Sequence, residues 1–262
     1  MGVAKLDRGA IGVAERGGGD RLPILFLHGV GSTKSVWEPQ LAYFGANRRA
    51  LAFDYPGYGE SDQRAGESHD MFALAMVEAL DALGIERAHI CGLSLGGVVA
   101  IAVHQQAPGR CASLILADSF ARHPEGREIY ERSVTASRGL GMRALAQARA
   151  PSLLGSAASD ALREGIVADM AGIDPSAYRQ GAAAVWLADQ RDRLSSIAVP
   201  TLVLVGDEDR ITPPSLSKEL AAAIANARME IIHQSGHLAN LEQPDDFNRI
   251  VDEFLSECEG DF

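Results

Sequence analysis

Cysteine is scarce in this chain: Cys91, Cys111 and Cys258 are the only three among 262 residues, with no Cys-x-x-Cys spacing. Three scattered thiols exclude a disulfide framework and a cysteine-rich metal site, and reduced thiols fit a cytoplasmic protein. Cys91, inside a short apolar run, reads as a small apolar filler. Positive charge is also in short supply, with 24 Lys and Arg against 35 Asp and Glu and a formal net charge of −11. That balance argues against nucleic acid and anionic membrane surfaces as partners, since both are polyanions. No apolar run approaches the roughly 18 residues needed to span a bilayer. The opening MGVAKLDRGA has no apolar signal core, and Leu6 stands where a myristoylation motif requires Ser or Thr. A small molecule is the remaining expected partner; oligomeric state is not legible.

Short apolar runs bounded by turn residues recur along the chain. They are 22–29, Ala50–Phe53, Ala88–Cys91, Ser113–Ala117, Thr201–Val205 and Met229–Ile232. Because they are apolar on both faces instead of alternating, they read as strands covered by helices on both sides. Helical stretches separate them: 36–44, 70–83, 95–106, 215–225 and 245–257. In the second, Phe72, Ala75, Met76, Ala79, Leu80 and Leu83 fall on one face, and Gly84 marks the stop. Alternating strands and helices predict an α/β fold, a doubly wound, mostly parallel sheet. The first eighteen or so residues read as an antiparallel hairpin at one edge.

One stretch interrupts the alternation. Residues 120–198 are rich in Ala, Arg, Ser and Gly, with helical patterning and no good strand. A structureless loop of that length is implausible in a compact domain. It reads as a helical lid inserted after the sixth strand, between core segments 1–119 and 199–262.

Chemistry concentrates at Gly92-Leu93-Ser94-Leu95-Gly96, between an apolar strand and a helical run. A serine held on such a sharp turn needs flanking glycines, and its hydroxyl projects from the sheet's carboxyl edge at a helix N-terminus. The pattern matches neither a dinucleotide fingerprint nor a P-loop, so an incidental serine in a tight turn is the plain alternative. A nucleophilic serine requires an imidazole to take its proton and a carboxylate to orient that imidazole. Asp207, Glu208 and Asp209 follow the strand ending at Val205; His233 and His237 follow the next one.

In order along the chain, LHGVGS, DYPGYGES, GLSLGG, LVLVGDEDRITPP and SGHLANLEQP resemble the α/β-hydrolase-fold serine hydrolases. The resemblance spans almost the whole chain apart from the lid region. It implies Ser94 as nucleophile, His237 as general base and then acid, and Asp209 as the orienting carboxylate, with Asp207 the second choice. It places the oxyanion hole at the backbone N–H groups of Val30 and Leu95. His28 and Asp54 are then structural, and His233 packs or lies at the surface. No metal or organic cofactor is implied.

The stretches HGVGSTKSVWEPQL and AVWLADQRDRLSSIAVP are further similar to 3-oxoadipate enol-lactonases. The expected activity is hydrolysis of a small ester or lactone through an acyl-enzyme. Trp186 and Arg191 in the lid are candidate substrate contacts, an aromatic wall and a cation for an acidic lactone. A carbon–carbon bond hydrolase, a cofactor-free peroxidase or a non-catalytic ligand-binding protein of the same fold are the alternatives.

Overall fold

A computed structural model describes residues 2–64, 66 and 68–260. These residues form eight strands: β1 (Gly2–Leu6), β2 (Gly9–Arg16), β3 (Ile24–Leu27), β4 (Ala50–Phe53), β5 (Ala88–Leu93), β6 (Cys111–Ala117), β7 (Thr201–Gly206) and β8 (Ala227–Ile232). They build one sheet in the order β1-β2-β4-β3-β5-β6-β7-β8. β1 and β2 pair antiparallel at one edge, and β2 also runs antiparallel to β4. Every later pairing, from β4 with β3 to β7 with β8, is parallel. The first long apolar run is shorter as a strand than its sequence suggests. Pro23 lies outside β3, and His28 and Gly29 leave the sheet for a loop.

The two-fold period of a strand sends alternate side chains to opposite faces. In β3, Leu25 and Leu27 join one core with Phe72, Met76 and Leu80, while Ile24 and Phe26 join the other with Trp37, Phe44 and Phe247. Phe26 stacks on Trp37 with ring centroids 4.8 Å apart. The first core is covered by α2 (His69–Ala82), α3 (Leu95–Gln106) and α9 (Pro214–Ala223). The second is covered by α1 (Glu38–Phe44) and α11 (Pro244–Glu259). Both faces being dry explains why the central strands read as unbroken apolar runs. Cys91, fully buried in the second core, has its thiol pushed well above its ordinary range by burial. It fills space.

Between β6 and β7 the chain leaves the sheet and forms α4 (Gly126–Gly139), α5 (Met142–Leu153), α6 (Asp160–Ala171), α7 (Pro175–Trp186) and the single turn α8 (Arg191–Leu194). A further short turn, α10 (Ala239–Glu242), precedes α11. Among the described residues no helix is long and apolar enough to cross a membrane.

Since β5, β7 and β8 run in the same direction, the loops leaving them emerge at one carboxyl edge. The loops after β3, β5, β7 and β8 carry Val30, Ser94, Asp209 and His237.

Candidate active site

Ser94 sits between β5 and α3 at φ 55°, ψ −112°. A non-glycine residue is rarely held there and needs its surroundings to fix it. Its N–H donates to Ala117 O (2.9 Å), and its carbonyl accepts from Ser119 Oγ (2.9 Å). The turn is tight enough that a Cβ on Gly92 would run into the Gly96 carbonyl, and one on Gly96 into the Leu27 carbonyl. The two glycines are therefore steric requirements of the turn.

Asp209, three residues beyond Gly206, is 3% exposed and fully engaged. Its Oδ1 accepts the N–H groups of Ile211 (2.8 Å) and Thr212 (2.9 Å). Its Oδ2 accepts the Thr212 hydroxyl (2.6 Å) and Nδ1–H of His237 (2.9 Å). Burial alone would raise its pKa. The charge and hydrogen bond of His237, with the Thr212 contacts, outweigh burial and hold the carboxyl below its ordinary value. With Nδ1–H committed to Asp209, the lone pair of His237 lies on Nε2, the nitrogen that can take a proton.

Ser94 and His237 border one cleft. Its floor includes Gly29, Val30 and Leu93, and its roof Arg149 and Leu153 of α5, Asp169 of α6 and Trp186 of α7. The Ser94 hydroxyl has no hydrogen-bond partner among the described residues, and serine and imidazole share the wall of the cleft. Catalytic hydrogen bonds are often long before substrate binds.

The backbone N–H groups of Val30 and Leu95, like those of Gly31 and Gly96 beside them, have no acceptor among the described residues. Leu95 opens α3, so its N–H belongs to the positive end of the helix. Its side chain is buried away from the cleft. The Val30 loop is braced from below. Tyr58 Oη donates to Val30 O (3.2 Å), and fully buried Asp54 accepts both Lys34 N (2.8 Å) and Lys34 Nζ (2.6 Å). His28 Nε2 accepts from Tyr55 N (3.3 Å), leaving Nδ1 to donate to Gly29 O (2.8 Å). Burial lowers the pKa of this imidazole below its ordinary value. His28 and Asp54 thus shape the loop and lie behind it.

The remaining candidates separate. Trp186 lines the cleft, stacked on Phe120 at 5.8 Å, with its Nε1 buried and unpartnered. Arg191 does not line it: its guanidinium pairs with Asp189 (2.6 Å) beside a different surface pocket. Asp207 and His233 pair with each other (2.9 Å) outside the cleft, and His233 is 81% exposed. Arg149 is the arginine at the cleft, a residue that sequence reading passes over. Its signal was available: Leu145 and Leu153 stand four residues to either side, so a cation occupies the apolar stripe of α5. Glu242 was missed too. Its carboxylate accepts Gly236 N (2.8 Å) from the histidine loop and Gly155 N (2.7 Å) from the segment after α5. Among the described residues no group of three His, Cys, Asp or Glu is placed to hold a metal ion.

Comparison with known proteins agrees with this architecture. Residues 24–250 match the model of the alpha/beta hydrolase family. A 3-oxoadipate enol-lactonase of Acinetobacter baylyi is 29% identical over 234 residues, 88% of each chain. A 2-hydroxy-6-oxononadienedioate/2-hydroxy-6-oxononatrienedioate hydrolase of Cupriavidus pinatubonensis is 32% identical, covering 88% of this chain and 86% of its own. Among solved structures, the enol-lactonase of Burkholderia xenovorans LB400 superposes with a TM-score of 0.92 at 28% identity, over 97% of this chain and all of that one.

Proposed function

The chain belongs to the α/β hydrolase family, and we propose that it is a serine hydrolase cleaving the ester or lactone bond of a small molecule, in the manner of an enol-lactonase. One observation carries this reading: an Asp209–His237 hydrogen-bonded pair and a strained Ser94 reach a single cleft, beside the unengaged backbone N–H donors of Val30 and Leu95.

In the proposed cycle, Ser94 Oγ attacks the substrate carbonyl while His237 Nε2 accepts its proton. The carbonyl oxygen becomes an oxyanion and accepts hydrogen bonds from Val30 N and Leu95 N. Each such donor is worth about 3–4 kcal/mol in the transition state. Asp209 keeps Nδ1–H in place and stabilises the imidazolium. Collapse breaks the C–O bond, and the departing alkoxide takes the proton from His237. In a lactone the alkoxide remains attached to the acyl chain. Water, deprotonated by His237, then attacks the acyl-enzyme carbonyl; the Oγ–C bond breaks, His237 returns the proton to Ser94 Oγ, and the carboxylic acid is released.

A fluorophosphonate probe, followed by mass spectrometry, tests the nucleophile. Labelling of Ser94 that disappears in Ser94→Ala is the expected result, and no labelling of the folded protein would favour a binding protein. Turnover of 3-oxoadipate enol-lactone against 4-nitrophenyl butyrate tests the subtype, and equal turnover removes the lactonase assignment. A second reading, hydrolysis of a carbon–carbon bond, draws on the relative from C. pinatubonensis. The same three side chains could serve it, and product analysis with a dienone substrate separates the two.

A further inference from the structure

Thr212, fully buried three residues beyond Asp209, holds both oxygens of that carboxylate. Its N–H donates to Oδ1 at 2.9 Å and its hydroxyl to Oδ2 at 2.6 Å. The carboxylate plane of an aspartate turns about a soft sp³–sp² torsion that has no sharp staggered wells. The N–H groups of Ile211 and Thr212 tether Oδ1 alone. The hydroxyl supplies the second point that defines the plane, and so aims Oδ2 at His237 Nδ1, 2.9 Å away. The hydroxyl is itself restrained, because threonine's branched Cβ limits its first torsion and Pro213 after it disfavours helical backbone at Thr212. Thr212 Oγ1 also lies 3.2 Å from His237 Nδ1. With the hydroxyl proton committed to Oδ2, the imidazole N–H meets two acceptors side by side, one charged and one neutral. The Thr212 bonds are among the contacts that hold Asp209 below its ordinary pKa.

We propose that Thr212 is a positioning residue of the Asp209–His237 pair: its hydroxyl fixes the carboxylate plane and sets how firmly Oδ2 holds Nδ1–H, and thereby the pH at which His237 is free to take the proton of Ser94. This rests on the hydrolase reading above and deepens it. A carboxylate relieved of the Thr212 hydroxyl pulls harder on Nδ1–H and favours the imidazolium, which cannot act as a base. The opposing loss, of the neutral acceptor at 3.2 Å, is the weaker one, because the 2.6 Å bond is charge-assisted. Other titratable groups surround the pair. His123 donates from Nε2 to Ile211 O (3.1 Å), Asp118 lies behind Asp209, Glu208 turns to Ser156 (2.8 Å), Glu242 holds the histidine loop and Arg149 lies at the cleft. None of them bonds to the Thr212 side chain, so its substitution leaves their partners in place.

The experiment follows the rate at which a fluorophosphonate labels Ser94 as a function of pH, which reads nucleophile and base whatever the substrate. Wild type is compared with Thr212→Val, which keeps the branched shape and removes the hydroxyl, and with Thr212→Ser, which keeps the hydroxyl. Labelling of wild type is expected to rise with pH as His237 loses its proton. In Thr212→Val the midpoint of that rise is expected about 0.5–1 pH unit higher, a fraction of what a hydrogen bond to a charged group is worth. Its plateau rate is expected to fall about 10-fold as the carboxylate plane loosens. Thr212→Ser is expected to restore the wild-type midpoint. Urea melts of all three accompany the rates, since a packing role alone would change stability and leave the midpoint where it is. If the valine variant does not fold, Thr212→Ala makes the same comparison. A midpoint in the hydroxyl-free variant at or below that of wild type would overturn the positioning role. No labelling of folded wild type at any pH would instead overturn the hydrolase reading.

Discussion

The backbone N–H of His237 donates a 2.9 Å hydrogen bond to the carbonyl of Leu153, the last residue of α5. The imidazole-bearing loop is thus attached to the helical layer above it as well as to the sheet below. The same helix carries Arg149 one turn earlier. The lining of the cleft and the His237 loop are thus joined through a single element.

The choice between neighbouring carboxylates follows from their surroundings. Asp209 is buried and bonded to His237, whereas Asp207 meets exposed His233 and the backbone of Gln234 and Ser235 outside the cleft. Asp209→Asn should lower kcat by about 10⁴-fold, the usual effect of losing the tautomer-fixing charge. Asp207→Asn, which breaks a surface pair worth at most about 1 kcal/mol, should change kcat by less than about fivefold. Steady-state kinetics on both variants decides, and a worse defect in Asp207→Asn refutes the assignment.

Glu242 joins two backbone segments that carry no side chains at the junction. A Cβ on Gly236 would press on Leu154 and Gly155, so only backbone fits there. Glu242→Gln leaves one acceptor oxygen for two N–H donors and turns an amide N–H₂ towards the other. Urea denaturation should show a loss of about 1–3 kcal/mol, accompanied by a lower kcat as the His237 loop loosens. A variant as stable and active as wild type would show that this clamp is idle.

Asp118 provides a pH-dependent prediction. It is fully buried at φ 46°, its Oδ1 accepts Gly206 N (2.9 Å), and its Oδ2 has no partner. Burial, reinforced by the negative charge of Asp209, raises its pKa well above the ordinary 3.8, against the opposing Gly206 bond. The folded protein therefore keeps a proton that the unfolded chain has released. Stability from this group is full below pH 3.8 and is lost as pH rises towards the folded value, by about 1.4 kcal/mol per pH unit. Asn accepts the same N–H, tolerates a positive φ and has no proton to lose. Urea melts from acid to neutral pH should show Asp118→Asn gaining on wild type as pH rises. A constant difference would mean that the carboxyl is ionised in the fold.

Much of the scaffold was readable because its physics is local. Ala50–Phe53 is a strand over the residues expected, and α2 buries Phe72, Ala75, Met76, Ala79 and Leu80 as their spacing required. The glycines around Ser94 identified a turn that only small residues fit. What escaped depends on contacts between segments remote in sequence. Arg149 acquires its setting from Trp186 and Ser94, residues 37 and 55 positions away. Arg191, attractive in sequence beside Trp186, turns to Asp189 two residues before it. Glu242 reaches Gly155 across 87 residues, and nothing near it announces that partner.

The backbone around Ser94 is pinned by groups on β6 and the residues after it, Ala117 and Ser119, while the roof of the cleft comes from α5, α6 and α7. The support of Ser94 and the roof of the cleft therefore reside in different parts of the polypeptide. Helices of the roof can be exchanged or recut over generations, admitting new molecules, without disturbing the direction in which the hydroxyl points. A descendant of this chain could change its diet while keeping its blade.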